Sequence, residues 1–261
     1  MPELPEVEIV RANVERTCSS RVVLSVKVID DGVLEGCTPK DLASICRNRT
    51  IIGAHRHGKQ MFIELGGGGF VTVHLGMTGD LIFRARKARP GKYDRVLFNF
   101  KDGSQLVYED MRKFGAIGHV ASIDQFVKMK KLGPDALEAR ERELASRISK
   151  HDRAIKTVLL DQKVIAGIGN LYADEILFQS RIHPLRPAKG LSEKEAGAIA
   201  KNTRKVLLAS VRVASDFEQL PKGFMLPVRE LEASCPRGNG RMESLKVNGR
   251  TTFYCPSCQS I

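Results

Sequence analysis

The chain opens Met1-Pro2-Glu3-Leu4-Pro5-Glu6-Val7-Glu8. The small residue behind Met1 favours its removal, which leaves a secondary amine on Pro2 with the Glu3 carboxylate beside it. An amine of this kind attacks a carbonyl or an aldehyde-like sugar carbon and forms a Schiff base. Its reference pKa of roughly 7.7–8.0 leaves a useful neutral fraction near pH 7. The same residues also suit a plain helix start, since proline fits the first turn and acids fit the positive end of the helix dipole. Taken alone the segment favours the plain start; the rest of the chain reverses that balance.

A second group of reactive side chains lies near the other end. Cys255-Pro256-Ser257-Cys258 has the spacing of a zinc-ribbon knuckle, and Cys235-Pro236-Arg237 begins what should be its partner. The fourth ligand position holds Gly238, and no histidine follows His183. Three thiolates can take zinc if water, Glu243 or a distant side chain completes the shell. The hairpin can equally fold without metal, packed around Phe253 and Tyr254. Asn248-Gly249 marks its tip, and Arg250 just beyond can meet a phosphate backbone. No organic cofactor is expected.

A third candidate is Lys163-Val164-Ile165-Ala166-Gly167-Ile168-Gly169-Asn170. Two glycines permit a tight backbone before a helix, and exposed N–H groups at a helix start bind phosphate. Asn170 adds a donor, and Lys156 lies one helix earlier. An ordinary helix–helix turn with Asn170 as N-cap accounts for the same residues. Gly66-Gly67-Gly68-Gly69 lacks the lysine and following helix of a phosphate loop, so it reads as a hairpin turn.

The bulk composition sets the partner class. Lys and Arg total 42 against 30 Asp and Glu, a formal charge of +12 over 261 residues. That excess points to a polyanion, nucleic acid ahead of an acidic membrane surface. No apolar run is long enough to span a bilayer, and the N-terminus has no signal pattern, so an intracellular protein is expected, with a monomer as the simplest assembly. Cys18, Cys37 and Cys46 are scattered and read as reduced core residues.

These residues need elements to place them. Val7, Val10 and Val14 recur at helical steps after Leu4. Strand patterns follow at 22–29, 61–65, 70–75, 81–83, 95–100 and 105–108, an antiparallel sandwich or barrel. From about residue 123 the pattern turns helical, with segments at 154–160 and 172–180. A capping box, Ser192-Glu193-Lys194-Glu195, opens a long helix to about Ser210. The chain reads as α+β: a β-rich domain over 1–132, a helical domain over 133–230 and a terminal hairpin over 231–261.

Several motifs occur in one order: PELPEVE, His74-Leu75-Gly76-Met77-Thr78-Gly79, Asp110-Met111-Arg112-Lys113-Phe114-Gly115, the GIGN loop, Ile182-His183-Pro184 and the terminal Cys-Pro-Ser-Cys-Gln. Together they resemble the formamidopyrimidine-DNA glycosylase and endonuclease VIII family over essentially the full length, nearer the formamidopyrimidine branch. The resemblance implies an N-terminal β-sandwich, a helix-two-turn-helix domain and a zinc-finger-like hairpin. It also implies a bifunctional glycosylase and abasic-site lyase of base-excision repair, acting on double-stranded DNA with oxidised bases or abasic sites.

In that family pattern Pro2 is the nucleophile, Glu3 handles protons at the sugar and Glu6 is a second carboxylate. Lys59 matches a lysine, placed after the third or fourth strand, that meets the substrate backbone. His74, Lys156, Asn170 and Arg250 match phosphate contacts. Chemistry at a glycosidic bond requires the nucleotide to leave the stack, and apolar or guanidinium groups fill the hole. Met77, Arg112 and Phe114 match that filling trio, although singly Met77 and Phe114 read as core and Arg112 as a solvated charge.

Two departures stand out. Gly238 replaces a metal ligand, and Leu220–Glu230 is shorter than the loop that closes over the flipped base in the family. Oxidised purines such as 8-oxoguanine and formamidopyrimidines are the first expectation. Oxidised pyrimidines or hydantoins are the alternative, as is a catalytically idle relative that holds damaged DNA. An unrelated zinc-ribbon protein predicts no lesion preference and leaves the N-terminus unexplained.

Overall fold

The structure, a computed structural model, describes residues 2–238 and 240–259; the expectation about Met1 lies outside them. The described chain forms two compact units. One contains Pro2 and Glu6–Lys130, the other Glu3–Pro5 and the residues from Lys131 onward.

In the first unit, helix α1 (Leu4–Cys18) buries Val7, Val14 and Cys18 on one face. These residues recur at seven- and four-residue steps, so a single stripe of the helix meets the core. Strands β1 (Val23–Val28), β6 (Asp94–Phe100), β7 (Gln105–Asp110) and β5 (Gly79–Arg84) form one sheet, in the order β1-β6-β7-β5. Strands β2 (Ile51–His57), β3 (Gln60–Leu65), β4 (Phe70–His74) and β8 (Ala116–Val120) form the other in sequence order. Every neighbouring pair is antiparallel.

Phe98, Phe100 and Tyr108 from the first sheet share one buried cluster with Met61, Ile63, Val73 and Ile117 from the second. The two sheets therefore form a sandwich. Each such side chain contributes about 1.5–3 kcal/mol when fully buried. Gly66–Gly69 links β3 to β4 as a tight turn, with positive φ at Gly67, Gly68 and Gly69. Helix α2 (Pro39–Cys46) starts with a reciprocal cap between Thr38 and Asp41, and α3 (Ile123–Lys130) closes the unit. Of the three scattered cysteines, Cys18 and Cys46 are buried as core residues, but Cys37 is only partly buried.

The second unit holds α4 (Glu141–Ile148), α5 (Ile155–Leu160), α6 (Asn170–Ser180) and α7 (Glu193–Arg212). The Ser192–Glu195 box does open α7. Leu159, Ile168, Tyr172, Ile176, Ile199, Val206 and Leu4 meet in its core. Strands β9 (Glu243–Val247) and β10 (Arg250–Tyr254) make the terminal hairpin. Asn248 and Gly249 turn its tip at φ 49° and 73°, the left-handed pair that a two-residue turn requires. Phe178, Met225 and Met242 pack around Cys235 and Cys255 at the hairpin base. Among the described residues no helix is long and apolar enough to cross a membrane.

Candidate active site and nucleic-acid interface

Glu3 is only 1% exposed. Its Oε1 accepts from the Leu171 N–H at 2.9 Å and its Oε2 from the Tyr172 N–H at 3.4 Å. The carboxylate thereby caps α6 from far away in sequence. Gly169 holds the cap position with no side-chain cap of its own, and Asn170 is the first helical residue, not the N-cap. The loop glycines serve the same contact. A Cβ on Gly169 would lie 2.2 Å from the Glu3 Cδ, and one on Gly167 would lie 2.4 Å from the Leu4 Cδ1. Leu4 also donates its N–H to the Gly167 carbonyl at 3.1 Å. An internal carboxylate, not an external phosphate, thus takes the two N–H groups that the sequence offered as an anion cradle. Pro2 is half-buried and bonded directly to this fixed residue.

Glu6 is half-buried on α1. Lys59, also half-buried, lies in the turn between β2 and β3, so it follows the second strand, not the third or fourth. Arg56 braces that turn: its Nη1 donates to the Gly58 carbonyl and its Nε to Glu8 Oε2, both at 3.0 Å. Burial pushes the Glu8 carboxyl up, but Arg11 and Arg56 outweigh it and hold the group below its usual value. His74 ends β4 opposite Gln60. Burial, against the hydrogen bond to the Lys59 backbone, lowers its pKa.

The loops after β4 and β7 meet over one buried carboxylate. Asp110 has no exposed surface. It accepts from the Thr78 hydroxyl at 2.5 Å and from the N–H groups of Gly115 and Arg112 at 2.9 and 3.1 Å. The Tyr108 hydroxyl adds a longer contact at 3.3 Å. Burial drives the Asp110 carboxyl up, yet the Thr78, Gly115, Lys113 and Arg112 donors outweigh it and hold the group below the ordinary range. The approach is close: a Cβ on Gly115 would lie 1.9 Å from the Tyr108 hydroxyl and 2.4 Å from the His74 carbonyl. Lys113 turns the loop at φ 56° and pairs with Asp30.

On this base Met77 is 37% and Phe114 58% exposed. The Arg112 guanidinium stacks 4.8 Å from the Phe114 ring. These apolar groups are not core, and the guanidinium is not merely solvated. All three sit on loops that the Asp110 network ties together.

In the second unit a different carboxylate organises the surface. Asp174 is 1% exposed and pairs with Lys156 through Oδ1. Its Oδ2 accepts from Arg229 Nε and Nη2 at 2.9 and 2.6 Å and from the Phe253 N–H at 3.1 Å. Lys156, expected at a phosphate, has no exposed surface; its ammonium faces inward to Asp174. Burial lowers its pKa against the pull of that carboxylate. Arg229 lies over the Phe253 ring at 4.6 Å. The Thr251 carbonyl receives Arg229 Nη2 at 3.3 Å and Asn170 Nδ2 at 3.0 Å. The buried Asn170 Oδ1 has no hydrogen-bond partner among the described residues. Arg250, adjacent to Thr251, is exposed.

Asp110, Asp174 and Arg229 are the organising residues that sequence reasoning missed. For Asp174 the available signal was its place beside Glu175 inside the apolar run Leu171–Phe178, because acids are almost never fully buried unless paired.

Cys235, Cys255 and Cys258 converge, with their sulfurs all within 4.8 Å of one another. The Cys235 and Cys258 sulfurs are 3.7 Å apart. Two thiolates on one zinc, each at about 2.3 Å, lie about 3.8 Å apart in a tetrahedral shell. The three thiols therefore fit a single ion. Among the described residues no other His, Cys, Asp or Glu joins them. Glu243 accepts the Tyr254 hydroxyl at 2.9 Å instead.

Comparison with known proteins decides the family. The family profile of the formamidopyrimidine-DNA glycosylase N-terminal domain matches residues 1–117, and that of its H2TH domain residues 132–220. A formamidopyrimidine-DNA glycosylase of Arabidopsis thaliana is 33% identical, covering all of this chain and 71% of the relative. The chain belongs to the formamidopyrimidine-DNA glycosylase family. A glycosylase of Pelotomaculum thermopropionicum is 32% identical with full coverage of both chains. The Lactococcus lactis glycosylase, solved non-covalently bound to DNA containing an abasic site, superposes with a TM-score of 0.90 at 26% identity over both full chains. A MutM structure in complex with DNA containing carbocyclic 8-oxo-G gives 0.89 at 27%, again over both full chains. The mixed architecture of sandwich, helices and terminal cysteine cluster agrees with these glycosylases.

Proposed function

We propose that the protein is a bifunctional DNA glycosylase and abasic-site lyase that removes oxidised bases, with the Pro2 amine as its nucleophile. The pinned Glu3 carboxylate carries this reading, because it fixes the residue bonded to the amine. The Pro2 nitrogen attacks C1′ of an extruded nucleotide, and the base departs with the glycosidic electron pair. Glu3 takes the proton that the attacking nitrogen sheds and passes it to O4′ as the C1′–O4′ bond opens, which leaves an iminium between Pro2 and the sugar. Loss of a C2′ proton expels the 3′ phosphate, and a second elimination frees the 5′ phosphate. A positioned carboxylate suits such proton transfers.

Glu6 and Lys59 assist at the sugar and its backbone. Met77, Arg112 and Phe114 fill the vacated stack. Their exposure on braced loops supports that role. His74, Asn170 and exposed Arg250 position phosphates. Lys156 acts indirectly, by neutralising Asp174 beneath the hairpin. Cys235, Cys255 and Cys258 hold zinc, whose contribution is structural, tying the two knuckles together. The protein works in a DNA-containing intracellular compartment.

One observation favours a second reading of substrate. Glu175 Oε2 accepts from the Met225 and Leu226 N–H groups at 2.7 and 2.8 Å, and Phe224, Met225 and Leu226 are buried. The segment at which the family pattern implies a longer loop is thus short and anchored, which favours hydantoins or oxidised pyrimidines beside oxidised purines.

Borohydride trapping on duplexes carrying 8-oxoguanine, a hydantoin or an abasic site tests both readings. The expected result is a covalent adduct with all three, formed more slowly where a base must first leave. Tight binding without any adduct would mean an idle damage-binding relative.

A further inference from the structure

We propose that the terminal cysteine cluster is an open metal site: three protein thiolates hold the ion, and an exchangeable small donor from solvent takes the fourth position. The inference rests on the zinc reading above and concerns the coordination that Gly238 leaves behind.

Both knuckle turns are formed. Gly238 donates its N–H to the Cys235 carbonyl at 2.8 Å, and Cys258 donates to the Cys255 carbonyl at 3.1 Å. Gly238 therefore occupies the same place in its turn as the ligand Cys258 does in the other. It is exposed, and a Cβ built there meets none of the described residues beyond its chain neighbours within 4 Å. Among the described residues no His, Cys, Asp or Glu takes the place that Cys258 takes in the other knuckle.

Two neighbouring donor atoms, Glu243 Oε2 and His183 Nδ1, are already engaged. Glu243 takes the Tyr254 hydroxyl, while His183 accepts the Leu185 N–H on Nδ1 and stacks edge-on against Tyr254 at 4.8 Å. The hairpin base is held without a fourth ligand. Gln259 Nε2 donates to the Ile182 carbonyl at 3.0 Å, and its Oε1 accepts the Cys255 N–H at 2.9 Å. Arg237 donates to the Phe178 carbonyl at 2.9 Å and stacks over the Phe178 ring at 4.2 Å. These contacts preform the three thiols, so no fourth protein ligand is needed to assemble them. A tetrahedral ion held by three protein ligands keeps its fourth position for water or another small donor.

Cobalt(II) replaces zinc as a visible probe. The full-length reduced protein, free of added thiol, is titrated with cobalt(II) and then with imidazole. The expected result is one cobalt per chain with thiolate charge-transfer absorption, and ligand-field bands that shift and saturate at one imidazole per cobalt. Cys258→Ser should lose the charge-transfer signal. Bound cobalt whose bands ignore imidazole would overturn the open position while leaving the metal site intact. Absence of cobalt binding, or an unchanged spectrum in Cys258→Ser, would overturn the site itself.

Discussion

Two buried aspartates organise the two candidate DNA-facing surfaces, and they do so by different means. Asp110 gathers neutral donors: a hydroxyl and backbone N–H groups from two loops. Asp174 gathers charge: Lys156 and Arg229, with one backbone N–H from the hairpin. The first network fixes loop shape so that Met77, Arg112 and Phe114 can stand in solvent. The second ties the hairpin strand to helices α5 and α6 and leaves two cations over one carboxylate. A carboxylate held by neutral donors loses one hydrogen bond at a time, whereas a cluster of buried opposite charges leaves an unpaired ion when any member goes.

That contrast sets an order of effects. Asp174→Asn should be the most damaging change, costing about 3–5 kcal/mol, because Lys156 is left charged and fully buried. Urea unfolding followed by circular dichroism measures it. Asp110→Asn should cost less, about 1–3 kcal/mol, since one carbonyl oxygen still accepts while the amide opposes a donor. If the two losses came out equal or reversed, the distinction between the networks would fail.

The Asp110 loss should also depend on pH. The folded carboxyl lies below its ordinary value, and the unfolded reference is about 3.9. Its contribution is complete above that reference and disappears as pH falls through the lower folded value. Wild type and Asp110→Asn should therefore converge in strong acid.

Glu175 should behave oppositely. Burial pushes its pKa up to about 7, so the folded state holds the proton more tightly than the unfolded chain. The stability it lends is complete below about 4.3 and is lost as pH rises through about 7. Glu175→Gln should flatten the decline in urea midpoint across that window; an undiminished slope would assign the decline to other groups.

The smallest stability effect belongs to Arg250→Ala, within about 0.5 kcal/mol of wild type because the side chain is exposed. Its log–log salt slope for DNA binding should nevertheless fall by about 0.9, one phosphate contact. Lys156→Met should reverse that pattern, with a clear stability loss and little change in slope.

What the sequence disclosed was mostly local. The valine spacing of α1, the four-glycine turn, the Ser192–Glu195 cap and the Asn248-Gly249 tip each depend on residues a few positions apart. The start of α6 was misplaced because its cap is Glu3, 168 residues from Leu171. Lys156 read as a surface cation because nothing nearby in sequence signals Asp174 on the next helix. The Asp110 motif was visible as a string, yet its acceptor role depends on Thr78 from a separate loop. The cysteine triad was legible down to its missing member, since knuckle spacing is itself a local pattern.

The most direct test is to locate the covalent bond. Borohydride-reduced protein bound to an 8-oxoguanine duplex is digested and mapped by mass spectrometry. The sugar remnant should sit on Pro2 as the first residue of the mature chain. A remnant on Lys59 or any other lysine, with Pro2 unmodified, would contradict the account.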